Sequence, residues 1–224
     1  MVVRLPSASL GLEAFAYFTR FPADREVPAP LVVWIGGAIT PEEYERRRSS
    51  EPTAILEPFG EALERCGLPP CDLAILSSPP TLNAEARRLA RWFEFFGEEL
   101  LPALPRPIPT LLGLVGNSFG AHLATGTACQ RADVAALATI AGVGMAEAEE
   151  AANSELPERL AVRCFVNDLD FAAPYADEFA RRFKARGRRL EVIERRGDHP
   201  FSDYAANGSV ADAFSFILEV LSGR

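Results

Sequence analysis

Short apolar runs alternate with longer helical patterns along the chain, and this alternation constrains the fold more than any other feature of the sequence. Strands are predicted at residues 12–21, 30–37, 71–80, 110–116, 134–142, 160–168 and 189–197. Helices are predicted at residues 55–67, 82–104, 119–132, 175–187 and 210–221. Strands that alternate with helices are typical of parallel sheets covered by helices. The pattern therefore predicts an α/β fold with a mostly parallel central sheet and helices on both faces.

The length of 224 residues and the lack of internal repeats indicate a single domain over residues 1–224. The segment between the strands that end near residue 142 and begin near residue 160 is too short for a large inserted domain. We therefore expect no large cap domain. That residues 142–160 form a small lid is left as an open alternative.

Charge and composition argue against several classes of partner. The net charge of −8 is opposite to the basic footprint of a nucleic-acid-binding domain. No apolar run approaches the roughly 20 residues that span a bilayer, and "MVVRLPSASLG" does not resemble a signal peptide. We expect a soluble, cytoplasmic protein with no nucleic-acid or membrane partner, and the oligomeric state is not indicated.

The cysteine pattern gives no support to a metal site. The chain has two histidines and no C-x-x-C pair among Cys66, Cys71, Cys129 and Cys164. A Cys66–Cys71 bridge is conceivable, but free thiols are expected in a reducing compartment. We expect no metal and no cofactor.

The stretch "LVGNSFGAHLA", residues 114–124, places one serine between two glycines where a predicted strand meets a predicted helix. This is the context of the G-x-S-x-G nucleophile elbow, in which a strained turn exposes the serine hydroxyl. Gly116 and Gly120 would leave room where Cβ atoms collide, and the helix N-terminus offers N–H groups to an oxyanion. The alternative is an ordinary turn, in which Gly, Asn and Ser are common. We favour Ser118 as a nucleophile.

A serine nucleophile needs a base, and the chain offers only His122 and His199. His122 lies four residues along the helix from Ser118 and is expected to be a packed helix residue. His199 follows the last predicted strand, at the sheet edge where ligands bind in open α/β folds. Asp168 and Asp170 follow another predicted strand, and either could orient the histidine or simply cap the next helix.

These residues resemble the motifs of the α/β-hydrolase superfamily, and the likeness to a compact, cap-less member covers nearly the whole chain. Residues 167–174 match the spacing G-x-x-D-x-x-x-P, with Asn167 in place of the glycine, which implies Asp170 as the acid and leaves Asp168 in reserve. Gly197 to His199 match the G-x-H segment after the last strand. The resemblance implies a Ser118–His199–Asp170 triad.

The same resemblance aligns residues 36–38 with the H-G-x loop after an early strand, although Gly36 stands where histidine is frequent. It implies an oxyanion hole formed by the backbone N–H groups of Phe119 and of Ala38 or Gly37. The missing histidine puts the conformation of this loop in question.

Loops expected to rim the site offer an apolar lining with no Arg or Lys cluster, which suits an uncharged acyl group. The predicted substrate-binding residues are Ile39, Val143, Met145, Phe171 and Phe201, and each of them could instead be core packing. Residues 78–80 and Tyr204 are expected at the same rim, and the basic run Arg46 to Arg48 is expected to be a solvated face.

We therefore expect a serine hydrolase that cleaves a small-molecule carboxylic ester or thioester through an acyl-enzyme. Two alternatives stay open. One is a ligand-binding protein without activity, and the other is a lyase or cyclase that uses the triad for proton transfer.

Overall fold

The computed structural model describes residues 1–22, 24, 29–51, 59–60, 63–64, 67, 69–82, 88–107, 110–152, 154–188 and 190–223. The helix predicted at residues 55–67 lies largely outside these described residues, as does Cys66.

An eight-stranded sheet forms the centre of the fold, in the order β1-β2-β4-β3-β5-β6-β7-β8. The strands are β1 (Val2–Ser7), β2 (Leu12–Phe21), β3 (Leu31–Ile35), β4 (Cys71–Leu76), β5 (Leu112–Asn117), β6 (Val134–Ile140), β7 (Ala161–Asn167) and β8 (Glu191–Arg195). From β4 through β3 to β8 all neighbours pair in parallel, whereas β1 and β2 add an antiparallel edge. The predicted mostly parallel sheet is confirmed.

Strand β1 was not predicted from the sequence. It reads VVRLPS and pairs only with β2, at the edge of the sheet. A proline is tolerated on an edge strand because one side of the strand forms no ladder, so Pro6 does not exclude this position. The central strands β3 and β4 are buried along their whole length, which the apolar sequence of β3 predicts and which in β4 includes the charged Asp72.

Helices cover both faces of the sheet, as predicted. They are α1 (Pro41–Arg48), α2 (Arg88–Glu94), α3 (Phe119–Gln130), α4 (Met145–Ala151), α5 (Ala173–Ala185), α6 (Phe201–Ala206) and α7 (Ser209–Leu221). One hydrophobic cluster contains Trp92, Leu123 and Phe179 of α2, α3 and α5. The other contains Tyr44 and Phe214 of α1 and α7, so each face of the sheet has its own core.

The continuous helix predicted over residues 82–104 is wrong in detail. A 3-10 turn spans Pro80–Leu82, α2 follows, and the chain continues through a π-helical segment, Phe95–Leu100, and a short helical turn, Leu101–Ala103. Pro102 has no N–H to donate to the carbonyl four residues earlier, which interrupts regular α-helical bonding there. Residues 83–87 are not described.

The segment between β6 and β7 packs against the body of the fold. Helix α4 contacts α3 and α5, and its Met145 and Ala148 are buried in the first cluster. Burial of these residues ties the segment to the core, so this helix is not placed as a detached lid.

Candidate active site

Ser118 lies at the turn between β5 and α3 with φ 52° and ψ −121°. A positive φ is unfavourable for a residue with a Cβ and persists only where the surroundings hold it. Here the Ser118 N–H donates to the Ile140 carbonyl at 2.8 Å, and its carbonyl accepts from the Ala121 N–H at 2.9 Å. The turn therefore presents the serine side chain beyond the end of β5.

Two glycines make this turn possible. A Cβ on Gly116 would lie 2.5 Å from the Gly120 carbonyl oxygen and 2.6 Å from the Ala121 Cα. A Cβ on Gly120 would collide with the carbonyl oxygens of Ile35 and Gly36 on the neighbouring strand. The close approach of α3 to β3 and β5 thus requires glycine at both positions.

His199 lies in the loop after β8, and its Nε2 is 3.1 Å from the Ser118 Oγ. Side chains from β7 hold this loop. The Asn167 Nδ2 donates to the Asp198 carbonyl at 2.9 Å, and the Gly197 N–H donates to the Asp168 Oδ1 at 3.0 Å. Gly197 has φ 148°, and a Cβ there would lie 2.8 Å from the Asn167 Nδ2. The loop is therefore fixed on β7 rather than merely following β8.

The carboxylates of Asp168 and Asp170 have different partners. Asp170 Oδ1 lies 2.7 Å from His199 Nδ1 and accepts the Ala172 N–H at 2.7 Å. Its side chain is 0% exposed, whereas the His199 side chain is 27% exposed. Asp168 is instead engaged with the Gly197 N–H, so the structure brings Asp170, not Asp168, to the histidine.

Tyr204 of α6 completes the surroundings of Asp170. Its hydroxyl donates to the Asp170 Oδ2 at 2.5 Å and accepts the Asn167 N–H at 3.0 Å. Burial raises the pKa of Tyr204 above its usual range, and the hydrogen bond to Asp170 raises it further. The hydroxyl therefore stays protonated and remains a donor. Sequence reasoning placed Tyr204 at an apolar rim, and no local pattern marks it as a partner of Asp170.

His122 does not contact the Ser118 hydroxyl. It is 2% exposed, its Nδ1 lies 2.6 Å from the Gly144 carbonyl oxygen, and its ring stacks on Phe119. The structure places this histidine as a packed helix residue.

The loop after β3 lies beside Ser118. A Cβ on Gly37 would be 3.2 Å from the Ser118 Cβ, and Ala38 is exposed next to it. The Gly36 N–H donates to the Leu76 carbonyl at 2.8 Å, and the Ser78 hydroxyl donates to the Gly36 carbonyl. Ser78 thus holds this loop even though no histidine stands at position 36. Phe119, on the other side of Ser118, is the first residue of α3.

A cavity of about 320 Å³ opens beside this loop. Among the described residues it is lined by Trp34, Gly36, Gly37, Ala38, Ile39, Arg46, Arg47, Phe59, Ile75, Leu76, Ser77, Asn117 and Phe201. Of the five predicted substrate-binding residues, the structure places Ile39 and Phe201 in its lining.

The other three lie elsewhere. Phe171 is 61% exposed and packs on the His199 ring, with centroids 4.2 Å apart. Val143 is half-buried in the loop after β6 and does not line the cavity. Met145 is 1% exposed with its sulfur 3.9 Å from the Cys164 Sγ, so it belongs to the core and cannot reach a substrate.

The expectation of a lining without a basic cluster is also wrong. Arg46 and Arg47 line the cavity, because α1 begins soon after the β3 loop and brings one of its faces to the cavity mouth. No helix was predicted over Pro41–Arg48 from the sequence, and its basic run was expected only to be a solvated face.

Within the described residues, no group of three or more His, Cys, Asp and Glu side chains is arranged to hold a metal ion. Cys129 and Cys164 are buried free thiols, and Cys71 is buried as well. Over the same described ranges, none of the helices is both long and apolar enough to cross a membrane.

No protein-family model and no curated protein matches the sequence. Solved structures do resemble the fold. A ferulic acid esterase is 14% identical with a TM-score of 0.70, over 98% of this chain and 97% of its own. A ferulic acid esterase from Anaeromyces mucronatus in complex with ferulic acid is 14% identical with a TM-score of 0.70, over 99% and 90%. The S-formylglutathione hydrolase of Staphylococcus aureus is 14% identical with a TM-score of 0.62, over 97% and 95%.

At such low identity these likenesses establish architecture alone. They extend over almost the whole length of this chain and of those three structures. Together with the parallel sheet, the helices on both its faces and the strand order, they show that the chain has the α/β-hydrolase fold.

Proposed function

We propose that this protein is a serine hydrolase that cleaves carboxylic esters through a covalent acyl-enzyme. The observation that carries the proposal is the hydrogen-bonded series from Ser118 Oγ to His199 Nε2 (3.1 Å) and from His199 Nδ1 to Asp170 Oδ1 (2.7 Å). A nucleophile, a base and an orienting carboxylate in this order form the arrangement that activates a serine hydroxyl.

The contacts of His199 assign its role. Asp170 accepts hydrogen bonds, so the imidazole carries its proton on Nδ1 and leaves Nε2 as the acceptor that faces Ser118. Nε2 takes the hydroxyl proton as Oγ attacks the substrate carbonyl. The imidazolium then donates that proton to the leaving alcohol, and an acyl group remains on Ser118. Water attacks this ester by the same proton transfers and regenerates the free serine.

The negative charge that develops on the carbonyl oxygen needs donors in place before the reaction. We assign this role to the backbone N–H groups of Phe119 and of Ala38 or Gly37. The Phe119 amide lies at the positive end of the α3 dipole. Gly37 packs directly on Ser118, and the Ser78 hydroxyl holds the preceding carbonyl.

Esters are the first candidate substrates. The similar structures include ferulic acid esterases, and the cavity beside the loop that adjoins Ser118 has a size that suits a small acyl group. A thioester would undergo acyl transfer with the same residues, and a structural neighbour is an S-formylglutathione hydrolase. When oxygen esters and thioesters are assayed side by side, we expect the enzyme to prefer the oxygen ester.

The proposal is tested with p-nitrophenyl esters of increasing acyl length, the corresponding thioesters and a fluorophosphonate probe. Wild type should turn over esters, and Ser118→Ala and His199→Ala should each lose activity by at least about 10⁴-fold. Ser215→Ala is the matched control, because Ser215 lies on α7 and its hydroxyl donates to Glu219 of the same helix. Intact mass should show one phosphonate on wild type and none on Ser118→Ala.

Three results would contradict the proposal. Failure of the probe to label Ser118 in folded protein, with no turnover of any ester, would favour a ligand-binding protein. Turnover that is lost in His199→Ala but forms no acyl-enzyme in rapid-quench mass spectra would favour a lyase or cyclase. Turnover retained in Ser118→Ala would place the nucleophile elsewhere.

A further inference from the structure

The cavity beside Ser118 has two chemically different ends. Its wall is apolar and largely aromatic. Trp34 packs edge-on against Phe59 and Phe201, with centroids 4.9 and 5.5 Å apart. One end reaches the Gly37–Ala38 loop and Asn117, which adjoin the serine. The other end is lined by Arg46, Arg47 and Ser77.

The basic end carries an excess of positive charge. Both guanidinium groups share one carboxylate: Glu43 accepts from Arg46 Nε and Nη2 and from Arg47 Nε, each at 2.7 Å. These bonds hold the pKa of Glu43 down at about 2, so it is fully ionised and cancels only one of the two charges. Among the described residues, no carboxylate lines the cavity.

Each guanidinium also keeps donors for a ligand. Arg47 Nη1 contacts the Ser77 Oγ at 3.3 Å, whereas Arg47 Nη2 and Arg46 Nη1 form no hydrogen bond with any described residue. The side chains of Arg46 and Arg47 are 67% and 33% exposed, so they retain freedom to turn toward an anion. Two such groups match the geometry of a carboxylate, which accepts parallel N–H donors.

The strand order indicates which part of an ester would reach this end. In the sheet, β3 and β4 lie on one side of β5, and β7 and β8 lie on the other. His199, which must protonate the leaving group, follows β8 and therefore approaches Ser118 from that second side. The cavity is built mainly on β3, β4 and α1, with Phe201 reaching it from α6. The departing alcohol and the cavity thus lie on opposite sides of the serine.

We propose that the cavity binds an acyl chain that ends in a carboxylate, with its methylene or aryl part along Trp34 and Phe201 and its anionic end on Arg46 and Arg47. The natural substrate would accordingly be a monoester of a dicarboxylic acid rather than an ester of a neutral acid. This inference rests on the proposed ester hydrolysis and names the substrate class of that same site.

The test uses pairs of esters that differ only in charge. Each pair contains the p-nitrophenyl monoester of succinic, glutaric, adipic or suberic acid and the same molecule with its free carboxylate methylated. For wild type, kcat/KM should favour the anionic member by about tenfold at the best chain length, since a charge-assisted contact is stronger than a neutral one. The preference should shrink as salt is added.

Variants assign this preference to the two arginines. In Arg46→Gln/Arg47→Gln the ratio of anionic to neutral kcat/KM should fall to about one, and the neutral ester in each pair corrects for general damage. Arg48→Gln is the matched control, since Arg48 lies on the same helix, pairs with Glu13 and Glu45, and does not line the cavity. Its ratio should equal that of wild type.

Several outcomes would overturn the inference. One is a wild-type ratio of one or less at every chain length, and another is a preference that survives in Arg46→Gln/Arg47→Gln. A third series carries the charge on the alcohol, as 4-carboxyphenyl hexanoate and its methyl ester. An arginine-dependent preference found only in that series would overturn the assignment to the acyl side.

A binding experiment separates this inference from the proposed reaction. Trp34 and Trp92 are the two tryptophans, and Trp92 is fully buried in the core, so cavity ligands should change the fluorescence of Trp34 alone. In Ser118→Ala, monomethyl adipate should bind about tenfold tighter than dimethyl adipate, and Arg46→Gln/Arg47→Gln should remove the difference. If the two adipates differ in affinity in this way but the wild type turns over no ester, the anion site is supported and the proposed hydrolase activity is overturned. If the wild type turns over neutral esters but the two adipates bind equally, the hydrolase activity is supported and the anion site is overturned.

Discussion

The two edges of the parallel sheet each bury an aspartate against a basic side chain, and only one of these pairs adjoins a serine hydroxyl. At the carboxyl edge, Asp170 meets His199, whose other nitrogen reaches Ser118. Near the amino edge, Asp72 at the second residue of β4 meets Arg106 at 2.5 Å, with side-chain exposures of 0% and 6%.

The difference lies in the partner rather than in the carboxylate. Histidine can take up and release a proton near neutral pH, and the His199 side chain is partly open to solvent. Arginine stays charged at any accessible pH, and Arg106 is closed in by the Ala29 carbonyl, to which it donates at 2.8 Å. Two equally buried acids are therefore suited to different roles, namely proton transfer in the proposed reaction at one edge and charge pairing at the other.

The largest expected effect is on the rate at the carboxyl edge. Asp170→Asn should lower kcat by about 10⁴-fold, because an amide in place of the carboxylate no longer selects the Nδ1–H tautomer. Thermal unfolding should change little compared with the loss of rate. The measurement is steady-state kinetics on the best ester together with the melting temperature.

Asp168→Asn is the matched control for this prediction. Asp168 supports the Gly197 N–H but does not touch the imidazole, so kcat should fall by no more than about tenfold. Equal losses in the two variants would remove the distinction between these aspartates.

The next effect is on stability at the amino edge. Arg106→Met removes the guanidinium that pairs with the buried Asp72 carboxylate and should reduce the free energy of unfolding by about 3–5 kcal/mol. The kcat of the folded fraction should stay within about twofold of wild type, since the pair is remote from Ser118. Chemical denaturation and active-site titration measure the two quantities.

The double variant Arg106→Met/Asp72→Asn gives the control at this edge. Removing both charges should restore part of the lost stability. A large fall in kcat in Arg106→Met would show that the two edges are coupled and would break the comparison.

A smaller effect is expected from Tyr204→Phe, which removes the hydroxyl between the Asn167 N–H and the Asp170 Oδ2. We expect kcat to fall by about 10- to 100-fold, as one buried hydrogen bond to a charged group contributes about 1.5–3 kcal/mol. If Tyr204 is a positioning residue, removal of its hydroxyl should also shift the acidic limb of the kcat–pH profile. The reason is that Asp170 loses a hydrogen-bond donor, which changes its interaction with His199. A purely structural role would lower stability and leave that limb in place.

The smallest effect concerns two buried thiols, Cys129 on α3 and Cys164 on β7. Burial raises the pKa of Cys129 and of Cys164 to about 12, so at pH 8 only about one in ten thousand of either thiol is ionised. Alkylation by iodoacetamide at pH 8 should leave both unmodified in the native protein and modify both after denaturation. Peptide mass spectrometry reads this directly, and inactivation caused by native labelling of either residue would contradict it.

Much of this molecule follows from local sequence patterns. The alternation of apolar runs with helical patterns determined the α/β class, and the glycines around Ser118 determined a turn that no larger residues could form. Each of these features depends on neighbours within a few positions, and for that reason periodicity and spacing reveal them.

Contacts between distant segments were decided only by the tertiary structure. His199 meets a serine 81 positions away because β8 and β5 end at the same edge of the sheet. The motif spacing already favoured Asp170 over Asp168, but that the turn after β7 directs Asp170 to the imidazole, and that Tyr204 joins them from α6, is seen only in the structure. In the same way, Arg46 and Arg47 line a cavity because α1 follows the β3 loop and packs on β2, whereas a run of basic residues by itself predicts only solvent contact. The order of the strands and the packing of the helices determine these long-range contacts, and neither can be read from the spacing of nearby residues.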